Sequence, residues 1–89
     1  MFYVYVLKSQ KDDNFYIGFT NDLKKRLLKH NWGKIFSTKS RRPLKLIYGE
    51  FCLNEKDARQ REKYLKTGIG HRFIRQRLCR YLETSTKIF

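Results

Sequence analysis

The stretch Tyr16-Ile17-Gly18-Phe19-Thr20-Asn21-Asp22-Leu23-Lys24-Lys25-Arg26-Leu27-Leu28-Lys29-His30-Asn31 packs a strand, a cap and a helix into sixteen residues, and these set the fold. Phe15 to Thr20 is aromatic and β-branched and reads as a strand. Asn21 or Asp22 then caps a helix over Leu23 to about His30, which Asn31 and Gly33 end. Upstream, Phe2-Tyr3-Val4-Tyr5-Val6-Leu7 is a dense run of β-formers, apolar on both faces as in a central strand. Ser9 to Asn14 is turn material, so the chain opens with a hairpin. Downstream, Asn31 to Pro43 is a loop with room for a short helical turn, and Leu44 to Phe51 is a third strand. Asn54 caps a second helix to about Lys66, Thr67 to Gly70 is a break, and a third helix follows from His71 to about Glu83. The order β-β-α-β-α-α predicts a small α+β domain, a three-stranded, mostly antiparallel sheet flanked by three helices. One domain is expected over residues 1–89, with its core at about 1–83 and a tail at 84–89.

The composition supports a folded domain with a polyanionic partner. Eighty-nine residues suffice for one core, and seven Phe, six Tyr and one Trp supply it. Lys and Arg number 21 against 8 acidic residues, a net charge of +13. Such an imbalance strains the compact state by self-repulsion, and nucleic acid relieves it by releasing condensed counterions. A basic membrane-surface role fits less well, since no helix offers a continuous apolar face. No apolar run approaches the ~18 residues of a membrane span, and Met1 to Lys8 reads as a strand rather than a signal peptide. A cytoplasmic location is therefore expected, with Cys52 and Cys79 as reduced thiols.

The informative residues are those that break the local pattern. In the second helix, at about 100° per residue, Glu62 falls between Ala58 and Leu65 on the apolar stripe. A carboxylate there needs a cation, either Lys66 at i+4 or a bound metal. In the first helix, Arg26 and His30 lie at i and i+4 beside the stripe of Leu23 and Leu27, while Lys24, Lys25 and Lys29 point elsewhere. An arginine so placed either packs its stem along the seam or aims its head at the sheet. In the hairpin, Tyr3, Tyr5 and Leu7 share one face, as do Tyr16, Gly18 and Thr20. A register with Tyr5 opposite Gly18 would leave an open spot beside the two phenols, suited to a bulge or to close approach of a ligand.

Together these residues resemble the GIY-YIG nuclease superfamily. Its first motif stands here as Tyr3-Val4-Tyr5, with Tyr3 in place of glycine, and its second as Tyr16-Ile17-Gly18. Arg26 and His30 follow at the family's offsets, and Glu62 in Arg61-Glu62-Lys63-Tyr64-Leu65-Lys66 matches its metal-binding glutamate. The resemblance covers nearly the whole chain and is greatest to small standalone members related to the excinuclease C-type nuclease domain.

The resemblance implies a divalent-metal-dependent DNA endonuclease, structure- or damage-selective and linked to DNA repair, with Tyr5, Tyr16, Arg26, His30 and Glu62 as catalytic residues. Glu62 would hold one Mg²⁺ or Mn²⁺. Arg26 would grip the scissile phosphate, and Tyr5, or in its place Tyr16, would orient or deprotonate the water. His30 would assist proton transfer or position a tyrosine, and Gly18 has a structural role. Lys34, Lys39, Arg41 and Arg42 on the loop, with Arg72, Arg75 and Arg80 on the third helix, are read as DNA-backbone contacts. Trp32 is expected to anchor the core, although an indole there could also stack on an unpaired base. Branched or single-stranded DNA is the expected partner, with room for a larger protein that supplies specificity. The competing reading is a non-catalytic nucleic-acid-binding module that retains the nuclease fold.

Overall fold

Alternation along the first strand decides the layering. A computed structural model describes residues 1–86, in the order β1 (Phe2–Ser9), β2 (Phe15–Thr20), α1 (Leu23–Asn31), β3 (Leu44–Cys52), α2 (Glu55–Leu65), α3 (Gly68–Arg77) and α4 (Cys79–Thr86). Both hairpin partners are antiparallel, and β1 is central in the order β2-β1-β3. Because strand side chains alternate, Val4 and Val6 face one way, into a core with Ile17, Ala58, Leu65 and Ile74 from β2, α2 and α3. Tyr5 and Leu7 face the other way, into a smaller core with Leu44, Tyr16, Leu23 and Leu27. The sheet thus separates α1 from α2 and α3.

The caps follow the sequence. Asp22 accepts from the Lys25 amide, Asn54 from the Lys56 amide and Thr67 from the Gly70 amide. The loop before β3 contains a 3₁₀ turn at Lys39–Arg41. Ile47 is the extra residue of a β-bulge opposite Val6 and Leu7.

Two features of the last helices depart from the expected bounds. Thr67 to Gly70 is not a broad break: Thr67 caps α3, which already begins at Gly68. The expected single helix from His71 to Glu83 is bent at Leu78 (φ −111°, ψ 23°) into α3 and α4. Hydrogen bonds continue through the bend, from the Leu78 amide to Ile74 O and from the Leu82 amide to Leu78 O, both 2.9 Å. No Gly or Pro marks that site. The bend is a tertiary accommodation that keeps Leu78 against the sheet core while Tyr81 meets Lys45. Residues 84–86 of the expected tail form the end of α4, and residues 87–89 lie outside those described.

A half-buried ion pair fixes how α2 sits on the sheet. Arg61 donates from Nε and Nη2 to the two carboxylate oxygens of Glu50 on β3, at 2.8 and 3.0 Å. Tyr48 donates to the same carboxylate at 2.8 Å. Burial pushes the Glu50 carboxyl up, but these two donors outweigh it and hold it below the ordinary range. Glu62 follows Arg61 on α2 and points about 100° away from it around the helix.

At Gly70 a β-carbon would overlap Tyr64 O and Leu65 Cα, because the first turn of α3 crosses the end of α2 at backbone distance. Gly70→Ala is expected to destabilise the fold by about 1–3 kcal/mol. Gly68 has open space around the same atom, so Gly68→Ala should be neutral or stabilising by up to ~1 kcal/mol. Urea midpoints moving in these opposite senses would bear out the close crossing; equal midpoints would refute it.

Candidate active site

The site begins at the pairing of Tyr5 with Gly18, the register expected from the sequence. The spot over Gly18 is not open, however. A β-carbon there would overlap Cζ and Oη of Tyr5, so the phenol lies across the glycine and fills the space itself. That close approach is the reason for glycine inside β2.

The Tyr5 ring is fully buried, so its hydroxyl needs partners within the protein. It has two. Nε2 of His30 lies 2.8 Å away, and Nε of Arg26 donates to it at 3.3 Å. Arg26 and His30 sit one turn apart on α1, and both reach down to one oxygen. The His30 ring meets Tyr5 and Tyr16 edge-on, with centroids 5.6 and 5.2 Å apart. Its other nitrogen, Nδ1, is 2.7 Å from Oγ1 of Thr38, which is also fully buried.

Burial pushes Tyr5 up to about 12, while the Arg26 hydrogen bond works against that rise and the charge of Glu62 adds to it. Burial, with the Arg26 charge assisting, lowers His30 to about 4. The imidazole is therefore neutral at ordinary pH. Arg26 is raised above its ordinary value, chiefly by its bond to Tyr5.

Counting protons along Thr38–His30–Tyr5 gives this site its chemical character. The threonine hydroxyl, the neutral imidazole and the phenol carry one proton each, but only two hydrogen bonds join them. One proton is surplus, located on Thr38 in one arrangement and on Tyr5 in the other. Removing the phenol proton balances the count. Thr38 then donates to Nδ1, Nε2–H donates to Tyr5, and Arg26 donates to the same phenolate oxygen.

Glu62, on α2, acts on Tyr5 through its charge. Arg59 places its guanidinium over the Phe19 ring of β2, 4.0 Å from the centroid, and Glu62 is one helical turn further along that side of α2. Its side chain is 17% exposed and forms the expected pair with Lys66 Nζ, at 3.1 Å. The ion pair and the nearness to Tyr5 thus coexist.

The cations divide differently from the sequence-based expectation. Lys25 and Lys29 do not simply point away into solvent: they line a cleft of about 290 Å³ with Thr20, Asn21, Asp22 and Arg26. Lys34, Lys39 and Arg42 are exposed on the loop. Arg41 is committed within the fold, donating to Asp12 Oδ2 at 3.1 Å and to Phe15 O at 3.3 Å, so it ties the loop to the hairpin turn. Arg72, Arg75 and Arg80 are exposed on α3 and α4, the helices of the opposite layer from α1, and Arg75 lies over Phe15 at 5.1 Å. Trp32 does not anchor the core; it is 63% exposed. Capping the end of α1, it faces away from both clusters. Thr38 carried no sequence signal, because a threonine in a Lys/Ser loop meets His30 only once the loop folds back.

The chain belongs to the GIY-YIG family: the GIY-YIG catalytic domain matches residues 1–72. Similar curated proteins carry the name UPF0213. One from Clostridium perfringens is 48% identical over 67 residues, covering 74% of this chain and 71% of its own. YazA of Bacillus subtilis is 46% identical, covering 72% and 65%. A Staphylococcus haemolyticus relative is 38% identical over 82 residues, covering 91% and 93%. No solved structure matches the chain.

His30 gives a pH dependence. Its pKa is depressed in the fold, so stability is full above the unfolded value near 6.5 and is lost as pH falls toward about 4. Urea midpoints should decline over that window in the wild type and decline less in His30→Gln. Equal slopes in the two proteins would contradict a neutral buried imidazole.

Proposed function

We propose that this chain is a divalent-metal-dependent endonuclease that hydrolyses DNA phosphodiester bonds, selecting substrates by structure or damage. The observation that carries this reading is the convergence of Arg26 and His30 on the Tyr5 hydroxyl, with the Arg26 cleft open beside it. Phosphodiester hydrolysis needs positive charge on the developing transition state and a group to handle a water proton. Arg26 presents the charge. Tyr5 presents a phenol whose deprotonated form satisfies every donor around it. At its elevated pKa the phenol stays protonated in the free protein, ready to orient a water, and gives up its proton only as positive charge gathers nearby. Thr38 holds the His30 imidazole in register for that change. Tyr16, half-buried and 6.4 Å from Tyr5 between ring centroids, closes the other side.

Glu62 suits one hard divalent ion, Mg²⁺ or Mn²⁺. Among the described residues no group of three or more His, Cys, Asp or Glu side chains stands together. An ion held by a single carboxylate keeps water and phosphate oxygens as its other ligands, as Mg²⁺ does. When bound, it supplies Lewis acidity toward a phosphate oxygen. Lys66 pairs with Oε2 of Glu62, so Oε1 would be the oxygen that holds the ion, whose charge would offset the upward push of the carboxylate on Tyr5.

The family supports a nucleic-acid substrate in general, and the net charge of +13 agrees. Among the described residues no helix is long and apolar enough to cross a membrane. A DNA-repair role and a cytoplasmic location belong to the same proposal, as does a larger partner supplying specificity. One observation favours the second reading, a binding module without catalysis: Tyr5 is wholly buried and protonated.

Nicking of supercoiled plasmid with Mn²⁺ separates the two. Arg26→Ala, Glu62→Ala and Tyr5→Phe should each lose activity by about 10²-fold or more, with circular dichroism showing the fold intact. Undiminished nicking by both Arg26→Ala and Glu62→Ala would overturn the assignment of this site. Salt-sensitive binding without cleavage in the wild type would favour the binding module.

A further inference from the structure

Two large aromatic side chains stand in water beside exposed lysines and arginines of α1 and the loop that follows it. Phe36 is 94% exposed and Trp32 63%. Burying such rings is worth several kcal/mol in a core, yet neither joins one of the two apolar clusters. They bracket the start of one loop, with Lys34 between them and Lys39, Arg41 and Arg42 further along it.

The Arg26 cleft adjoins the cleft of Trp32, and Arg42 links Trp32's neighbour Gly33 to the cleft of Phe36. The Arg26 cleft shares Asp22, Lys25 and Lys29 with an adjoining cleft of about 320 Å³ that Trp32 closes. From Arg26 to Trp32 is about 9 Å along the helix at 1.5 Å per residue, roughly two or three stacked-base steps of 3.4 Å. Beyond Trp32 comes Gly33, in the left-handed region at φ 75°, and the Arg42 guanidinium packs directly on it. Nε of Arg42 is held by Lys39 O at 2.9 Å, which leaves the outer nitrogens of its planar fork for a phosphate. Arg42 and Lys39 then line a third cleft, of about 560 Å³, with Phe36. Two residues past Phe36, Thr38 anchors the loop on His30.

Cations alternating with exposed rings match a single strand of nucleic acid, whose phosphates need charge and whose unstacked bases need flat apolar surface. A duplex offers the charge partner but keeps its bases stacked. We propose that Trp32 and Phe36 form a binding site for unpaired nucleobases, fed by Lys25, Lys29 and Arg42 and continuous with the Arg26 cleft. This rests on the nuclease reading only in its direction: the platform lies beside the bond to be cut and selects DNA with a single-stranded segment there.

Trp32 is the sole tryptophan of the chain, so its fluorescence reports on the platform directly. The test titrates the wild-type protein, with EDTA present to prevent cleavage, with oligothymidylate and with a matched duplex of equal length. Oligothymidylate should quench Trp32 and the duplex should not. By anisotropy of labelled DNA, Phe36→Ala and Trp32→Ala should each weaken oligothymidylate binding about 5- to 100-fold. Duplex binding should stay within about twofold, and Phe36→Tyr should restore the wild-type affinity. Because both side chains are exposed, the variants keep the fold.

Lack of quenching at saturation, wild-type affinity in both alanine variants, or equal losses on duplex and single strand would each overturn the platform. So would a dimer in sedimentation that Phe36→Ala turns into a monomer with DNA binding untouched, since the occupant would then be a second copy. The nuclease reading fails separately. Quenching without any Mn²⁺-dependent nicking leaves the platform standing alone, and nicking that Glu62→Ala abolishes, without quenching, leaves the nuclease alone.

Discussion

The Tyr5 ring lying over Gly18 is the contact on which the rest of the site depends. A phenol wholly inside the protein must have its oxygen hydrogen-bonded, and its two partners are His30 and Arg26. Both partners come from α1, and the helix can deliver them only if Arg26 and His30 face the sheet together. Leu23 and Leu27 pack beside Tyr5 and hold that rotation. Gly18 is the complement: any side chain there would expel the ring, and with it the partner of both α1 residues.

This arrangement holds two opposed electrostatic tendencies in balance. Burial favours the neutral phenol and the neutral imidazole, while Arg26 brings a permanent charge to the same oxygen. In a poorly solvated site such a charge acts with little screening. The proton surplus along Thr38, His30 and Tyr5 adds a third element, because the network is best matched one proton short. The charge of Glu62 acts on Tyr5 from α2, the helix that Arg61 ties to Glu50 of β3.

Not all of the positive charge faces a partner. Arg41 ties the loop to the hairpin, Arg61 ties α2 to β3, and Arg59 covers an aromatic ring. What remains exposed is split between the α1 side and the α3–α4 side of the sheet. The α1 side carries the clefts that join Arg26 to Trp32. Charge spent on packing cannot be told from charge kept for a ligand by counting lysines and arginines.

The element order was legible in the sequence because each signal is local: runs of β-formers, Asp22 and Asn54 at helix starts, and glycine at Gly33, whereas Thr67 showed as a cap only in the fold. The Tyr5–Gly18 pairing could be suggested from the glycine in β2, but β1 is apolar on both faces, so only the folded sheet fixed it. Arg26, His30 and Glu62 were legible, each a polar residue beside an apolar stripe. Tertiary structure alone decided that the phenol fills the space over Gly18, that Thr38 completes the histidine, that Arg41 is internal and that Trp32 is exposed. Each of these depends on how the 32–43 loop folds back over α1 and on how the layers meet. A pairing made across the sheet or through a loop leaves no period in the chain to read.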